Sequence, residues 1–522
     1  MIPSRALAAT AAASALALGA FCWSVAPAPA QGRRGGGGGG GGGRRSFAAG
    51  PCASLSQVLG RLTDRSACLS LLSSTALEAY VEYGRKPGKL DRKTAAVSAR
   101  AGEPIEIELT GLAPNAPCTY RLRHRKPGEA AFLSGREQTF HTQRKPGAEF
   151  TFVVQGDSHP EREGRMYDPA LYARGLRGVA QRSPDFLVAL GDDFSIERLI
   201  EQQDLTQTAV DQVYAHQRGY LGLVGAASGV YLVNGNHEQA GLHWLNGTET
   251  NPAVLAARAR SRHFPLPAPD TFYSGDAEKV ERIGHLRDYY AWTWGDALFV
   301  VIDPYWHSPV GVDDGRRGSD TAAPTPTGGG GGGGGRRGGG GKGGRDLWQV
   351  TLGDAQYKWL SKTLTESKAQ YKFVFCHHVM GTGRGGVEQA GFYEWGGKDR
   401  NGAWRFDEKR PGWAQPIHAL MVKTGVTILF QGHDHLFARQ DLDGVVYQST
   451  PSPADPTYTA FNQDAYRTGT SLPNSGHLVV NVGPKGVRVD YVRSYLEKDE
   501  TGERKTGQVA HSYTVAPNTR RP

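Results

Sequence analysis

Cysteine is scarce in this chain: there are five in 522 residues, and none has the spacing of a zinc site. That scarcity excludes a disulfide-dense scaffold and a thiolate-rich metal centre. Cys52 and Cys68 are close enough in sequence to close a small loop disulfide in an oxidising compartment. Cys118 and Cys376 fall singly in expected strands, and Cys22 lies in an N-terminal apolar stretch. Long hydrophobic runs are missing too. Beyond residue 30 no segment is apolar enough to cross a membrane, so the expectation is a protein that is not transmembrane.

The N-terminal stretch has a different reading. Arg5 gives a positive start, Ala6 to Val25 is rich in alanine and leucine, and Ala28-Pro29-Ala30 offers small residues at the cleavage positions. Residues 1–30 are expected to be a signal peptide, with the mature chain starting near Gln31 in a secreted or periplasmic location. Evenly spread positive charge is also lacking. The net charge is +9, but Arg33, Arg34, Arg44, Arg45, Arg336, Arg337, Lys342 and Arg345 lie in or beside two glycine runs. Arg520 and Arg521 lie at the tail. Without those ten charges the rest of the chain is near neutral, so no specific nucleic-acid partner is expected.

Residues 31–46 read as a Gly/Arg-rich disordered linker, and 310–345 as a Gly-rich disordered insertion. Between about Thr75 and Thr142 short alternating segments such as Ala79 to Gly84 and Ile105 to Leu109 are separated by Pro- and Gly-containing turns. They predict a small all-β sandwich over 73–145. From Glu149 the pattern changes. Phe150 to Gln155, Asp185 to Leu190, Gly229 to Val233, Ala297 to Ile302, Lys372 to Cys376 and Val426 to Gln431 are compact apolar runs suited to buried strands. Helical patterns at Pro169 to Arg182 and Ala355 to Lys368 lie between them. This alternation predicts an α/β layered domain over 149–495.

Polar residues recur just past those strands: Gly156-Asp157-Ser158-His159, Gly191-Asp192-Asp193, Gly235-Asn236-His237-Glu238, His377-His378 and Gly432-His433-Asp434-His435. The carboxyl ends of strands face the ligand crevice in open α/β folds, so these groups can converge. Carboxylate, imidazole and amide oxygen form a mixed donor set. It suits two Mn, Fe or Zn ions better than an all-oxygen calcium site. Two such ions can clamp a phosphoryl group and acidify a water molecule.

In order, the blocks D-x-H, G-D, G-N-H-E, H and G-H-x-H resemble the calcineurin-like metallophosphoesterase superfamily. The resemblance implies two packed mixed β-sheets flanked by helices. It also implies a first metal held by Asp157, His159, Asp192 and His435, and a second held by Asp192 as bridge, Asn236, His377 and His433. His237 would assist the leaving group, with Asn236 also touching the phosphate of a small-molecule ester. The implied reaction is hydrolysis of phosphate monoesters or diesters by a dinuclear-metal-bound hydroxide. A nucleotide or cyclic-nucleotide phosphodiesterase is the alternative, and a surface binding protein with an inactive site is a third reading.

The sandwich, with Tyr80 to Gly84 and Leu109-Thr110-Gly111-Leu112-Ala113-Pro114 before Tyr120-Arg121, resembles the fibronectin-type domain of purple acid phosphatases. Where those enzymes carry their metal-binding tyrosine this chain has Ser195, which implies a colourless site. Many superfamily members place an aspartate there to orient the catalytic histidine. Asp193, Glu238 or a more distant carboxylate is left to take that part. Four further readings stay open: His378 as pocket lining or packing, Arg384 as phosphate grip or solvated loop residue, Asp303 as site residue or turn cap, and Trp292, Trp294, Tyr305 and Trp306 as nucleobase wall or core.

Overall fold

The computed structural model describes residues 50–312, 346–379 and 383–517. The expected signal peptide, the linker and nearly all of the glycine-rich insertion lie outside the described residues. Among the described residues no helix is long and apolar enough to cross a membrane.

Two large mixed sheets pack face to face. In the first, with nine strands, the order is Val509–Val515, Gly486–Arg493, Gly476–Gly483, Phe150–Gln155, Phe186–Ala189, Gly229–Leu232, Leu55–Gly60, Ala67–Ser73 and Ile105–Leu109. In the second, with eight strands, Ala297–Val301, Tyr371–Phe375 and Ile428–Gln431 run parallel at the centre. The six apolar runs expected from the sequence are thus the central strands of the two sheets. Their side chains alternate between layers. Phe152, Phe186, Phe299, Phe373 and Phe430 meet between the sheets, with ring centroids such as Phe152–Phe299 at 5.1 Å and Phe152–Phe373 at 5.4 Å. Val153 and Leu187 face outward to the helices Pro169–Gln181 and Gln207–Gly225. Val374 and Leu429 face Gly353–Glu366 and Ile417–Thr424. Both faces of each strand are buried, which is why these segments read as continuous apolar runs rather than alternating ones.

The β-rich N-terminal region has the two layers expected of a sandwich, but one layer is shared with the larger domain. Its five-stranded sheet contains Leu77–Gly84, Pro117–Arg125 and Leu133–His141, with Arg92–Lys93 at one edge and Val97–Ala99 paired to Leu77–Gly84. The strands opposite it, Leu55–Gly60, Ala67–Ser73 and Ile105–Leu109, belong to the nine-stranded sheet, joined by the parallel pairing of Leu59 with Gly229. A start at residue 73 therefore omits two strands. Ala67–Ser73 is buried at every position, so it lacks the alternation that marks a half-buried strand. An end at 495 likewise omits Val509–Val515, whose pairing with Gly486–Arg493 extends the sheet.

The Cys52–Cys68 disulfide does not form, because Cys68 is a buried free thiol. Cys68 lies opposite Gly60, at the far end of a hairpin whose near end, Leu55 opposite Ser73, adjoins Cys52. Strand geometry separates the two by roughly 25 Å, far beyond disulfide reach.

Arg218, on the helix Gln207–Gly225, ties the N-terminal strands to the larger domain. Its buried guanidinium donates to Ser56 Oγ (2.9 Å), Ser70 Oγ (3.0 Å), Ser70 O (2.7 Å) and the His263 carbonyl. Burial pulls its pKa down to about 9. Replacing Arg218 with Met takes the donor from the buried Ser56 and Ser70 hydroxyls and the His263 carbonyl, which costs about 3 kcal/mol. Urea unfolding should show that loss, and an unchanged midpoint would exclude this tie as a stabilising contact.

Candidate metal centre

The chemistry-bearing segments all follow central strands, and several turn through the left-handed region. His159, Asp192, His433 and His435 have φ of 51°, 56°, 67° and 59°. Such conformations cost a non-glycine residue of order 1–3 kcal/mol and persist only where packing overrules the preference. Adjacent glycines make room. A Cβ on Gly432 would stand 2.5 Å from Asp157 Oδ1, and one on Gly235 would collide with Asp192 Oδ1.

These turns bring the expected residues together in two groups. Asp157, His159 and His435 form one, and Asp192, His377 and His433 the other, with the candidate ligand atoms of each group within 4.8 Å of one another. Asp157 Oδ2 lies 3.1 Å from His435 Nε2 and 3.7 Å from His159 Nε2. Asp192 Oδ2 lies 3.1 Å from His377 Nε2 and 3.6 Å from His159 Nε2, so it stands between the groups. The His433 amide donates to Asp157 Oδ1 at 2.8 Å, and the His237 amide to Asp192 Oδ1 at 2.8 Å.

His433 Nε2, in the second group, and Asn236 Oδ1, on the loop that also carries His237, are buried without a hydrogen-bond partner. His377 Nδ1 donates to Leu190 O at 2.7 Å, which turns Nε2 inward. His159 Nε2 and His435 Nε2 face each other at 3.0 Å. Buried lone pairs and carboxylates aimed at common points fit a pair of cations. The titration behaviour agrees. Burial pushes Asp157 and Asp192 upward, but His377 and its neighbours outweigh it and hold both well below the usual range. Burial opposes charge on His377, yet Asp192 and Asp157 raise it to about 10. His433 and His435 are pushed down by burial, His435 to about 4.

The open alternatives are decided by contacts. His377, not His378, meets Asp192. His378 lies 2.7 Å from the Tyr305 hydroxyl and stacks on His433 with centroids 4.6 Å apart. Arg384 donates to His433 O at 2.8 Å and Asp434 Oδ1 at 3.1 Å, so it braces the His433–His435 turn. Asp303 caps a turn by accepting from the Tyr305 and Trp306 amides. Trp292, Trp294, Tyr305 and Trp306 are all buried and form core rather than an open wall.

Three residues were not singled out for these positions from the sequence. Glu161 Oε1 lies 2.7 Å from His159 Nδ1, on the side of the ring away from the cluster. Arg162 Nη2 lies 3.2 Å from His237 Nε2. Glu197 Oε1 lies 2.9 Å from His237 Nδ1, so this more distant carboxylate, rather than Asp193 or Glu238, faces the ring. Asp193 binds Ser158 and Gln217. Glu238 is a scaffold residue, accepting from the amides of Asp192 (3.0 Å), Asp193 (2.8 Å), Phe194 (3.1 Å) and Gly235 (2.5 Å). Glu161 had a readable signal, two residues after a candidate histidine. Glu197 had none beyond being the first carboxylate after Ser195.

Two packed mixed sheets with this cluster past their central strands have the layout of a metal-dependent ester hydrolase. The model of the calcineurin-like phosphoesterases matches residues 150–437, more than half of the chain, and the protein belongs to that family. It is therefore a phosphoric ester hydrolase. Two solved structures share the fold. PhoD matches with 14% identity and a TM-score of 0.55, over 91% of this chain and 90% of its own. The purple acid phosphatase PPD1 from yellow lupin (Lupinus luteus) seeds matches with 16% identity and a TM-score of 0.50, over 90% and 75%. No curated protein matches the chain.

A carboxylate on the far nitrogen of a ligating histidine fixes its tautomer and raises its basicity, and its removal typically weakens metal binding 10- to 100-fold. Glu161→Gln should weaken one of two bound ions by about tenfold in a chelator-competition titration and leave the other nearly as tight. Equal affinities in variant and parent would remove Glu161 from that role.

Proposed function

We propose that the chain is an exported, dinuclear-metal phosphoesterase acting on small phosphate esters, with monoesters preferred. The observation that carries this reading is the pair of three-residue groups with Asp192 of one standing 3.6 Å from His159 of the other. Asp157, His159, Asp192 and His435 would hold one ion, and Asp192, Asn236, His377 and His433 the other. Bound there, the ions would polarise the phosphoryl group and lower the pKa of the attacking water.

The chain's own residues supply the rest. His237 stands at the edge of the cluster, 3.9 Å from Asp192 Oδ2 through Nε2. Burial opposes its charge, but Asp192 and Glu197 outweigh burial and raise its pKa from the ordinary histidine value. A protonated Nε2 can give its proton to the leaving oxygen, and Glu197 at Nδ1 keeps the ring oriented for that transfer. Arg162, beside Nε2, is positioned to reward the second negative charge of a monoester, which favours monoesters over diesters. Export rests on the signal-like residues 1–30. The two facing sheets of the N-terminal region support the fibronectin-type assignment.

The test is metal reconstitution followed by assay on p-nitrophenyl phosphate and bis-p-nitrophenyl phosphate. About two ions per chain and faster cleavage of the monoester are expected. Asp192→Asn should lose at least 100-fold in kcat/KM, about 2.7 kcal/mol of transition-state stabilisation. Faster cleavage of the diester would reverse the assigned preference. Fewer than two ions at saturation would overturn the dinuclear reading. Mass analysis of the exported protein should find a mature start near Gln31.

A further inference from the structure

Phe461 is one of five large hydrophobic side chains that stand exposed among the described residues, at 44%. Its position sets it apart from the other four. The ring lies edge-on to His435, a proposed ligand, with centroids 5.6 Å apart and planes at 78°. An isolated ring of this kind is too small to be a protein-docking patch.

The segment carrying it is fastened to the ligand turn on both sides of the aspartate between His433 and His435. Asn462 Nδ2 donates to the Asp434 carbonyl at 3.0 Å, and the Tyr466 hydroxyl donates to Asp434 Oδ2 at 2.6 Å. Gln431 Nε2 in turn donates to the Tyr466 hydroxyl at 3.2 Å. Phe461 is thus held in place by its neighbours while its own ring stays half open. From it the mouth of the site runs through His435 and His159, with centroids 4.7 Å apart, to His237, 5.0 Å further. At the other end Arg162 stands against His237 Nε2 at 3.2 Å. An apolar ring and a guanidinium therefore both adjoin histidines of the cluster, Phe461 at His435 and Arg162 at His237.

Resting on the phosphoesterase reading, we propose that Phe461 forms the wall of a substrate subsite, and that the preferred esters carry a planar aromatic ring, aryl or nucleobase, on the phosphate. The phosphoryl oxygens sit at the proposed metal pair and Arg162, and the ring of the ester packs against Phe461. A fixed phenyl group exchanges water for such a partner without an ordering cost of its own, and stacked or edge-on contact suits two planar rings. Phe461 acts on specificity and takes no part in bond breaking.

The experiment measures binding of phenylphosphonate and methylphosphonate to the metal-loaded full chain by calorimetry. These anions are not turned over, so affinity is read apart from catalysis. The unaltered protein should bind phenylphosphonate about tenfold more tightly than methylphosphonate, within the range that base–aromatic stacking supplies. Phe461→Ala should bring that ratio to near one, and Phe461→Tyr, which keeps the ring, should retain it. A ratio near one in the unaltered protein, or a ratio that survives Phe461→Ala, overturns the subsite while leaving the phosphoesterase reading intact. Failure of both phosphonates to bind overturns the phosphoesterase reading and the subsite with it.

Discussion

Asp157 and Asp192 are both buried, at 0% and 1% exposure, and both are held ionised by the histidines around them. Two carboxylate charges out of water are tolerated only where positive charge and hydrogen-bond donors face them. Much of the local architecture answers that requirement. Backbone amides of His433 and His237 point at the carboxylates, and His377 and His435 lie 3.1 Å from their outer oxygens. The same arrangement that makes the cluster expensive for a bare protein makes it receptive to cations.

The two-sheet packing sets where this cluster can exist. Phe152, Phe299, Phe373 and Phe430 lock the central strands of both sheets through one aromatic layer. Close packing gives the strand ends little freedom, so residues hundreds of positions apart, such as Asp157 and His435, meet at fixed separations. The left-handed turns at His159, Asp192, His433 and His435 then redirect the side chains inward. Glu238 holds the Asp192 loop by three amides, and its own segment by that of Gly235, so Asp192 is fixed by the Gly235–Glu238 segment. Local strain at these turns is offset by the packing beneath them.

How much of this was legible in the sequence follows from the kind of signal each part leaves. The central strands were readable because burial on both faces gives uninterrupted apolar runs, and the polar blocks were readable because they sit at the ends of those runs. The strands Leu55–Gly60 and Val509–Val515 were not. The first mixes serine and glutamine with its apolar residues, and the second is a largely exposed edge strand. Where a sandwich ends and a larger sheet begins was hidden as well. It depends on one long-range register, Leu59 against Gly229, that no local pattern encodes. Arg162, Glu161 and Glu197 act through side-chain reach, which spacing along the chain does not specify.

The position of Glu197 shows how such reach alters the chemistry. Ser195, where related enzymes place a carboxylate, is buried and its hydroxyl has no hydrogen-bond partner. Two residues later, Glu197 opens the short helix Glu197–Glu201 and meets His237 Nδ1 from a side chain that is 45% exposed. Water screens a charge at that exposure, so its attraction for a protonated imidazole is weaker than a buried aspartate would give. Gln239 Nε2 shares the same oxygen at 3.3 Å and steadies it. Orientation of the ring is therefore what Glu197 supplies best, while the charge that favours the protonated form comes foremost from Asp192. On the proposed function, the acid would be set mainly by Asp192 and only aimed by Glu197, so proton donation and cation binding would draw on the same buried aspartate.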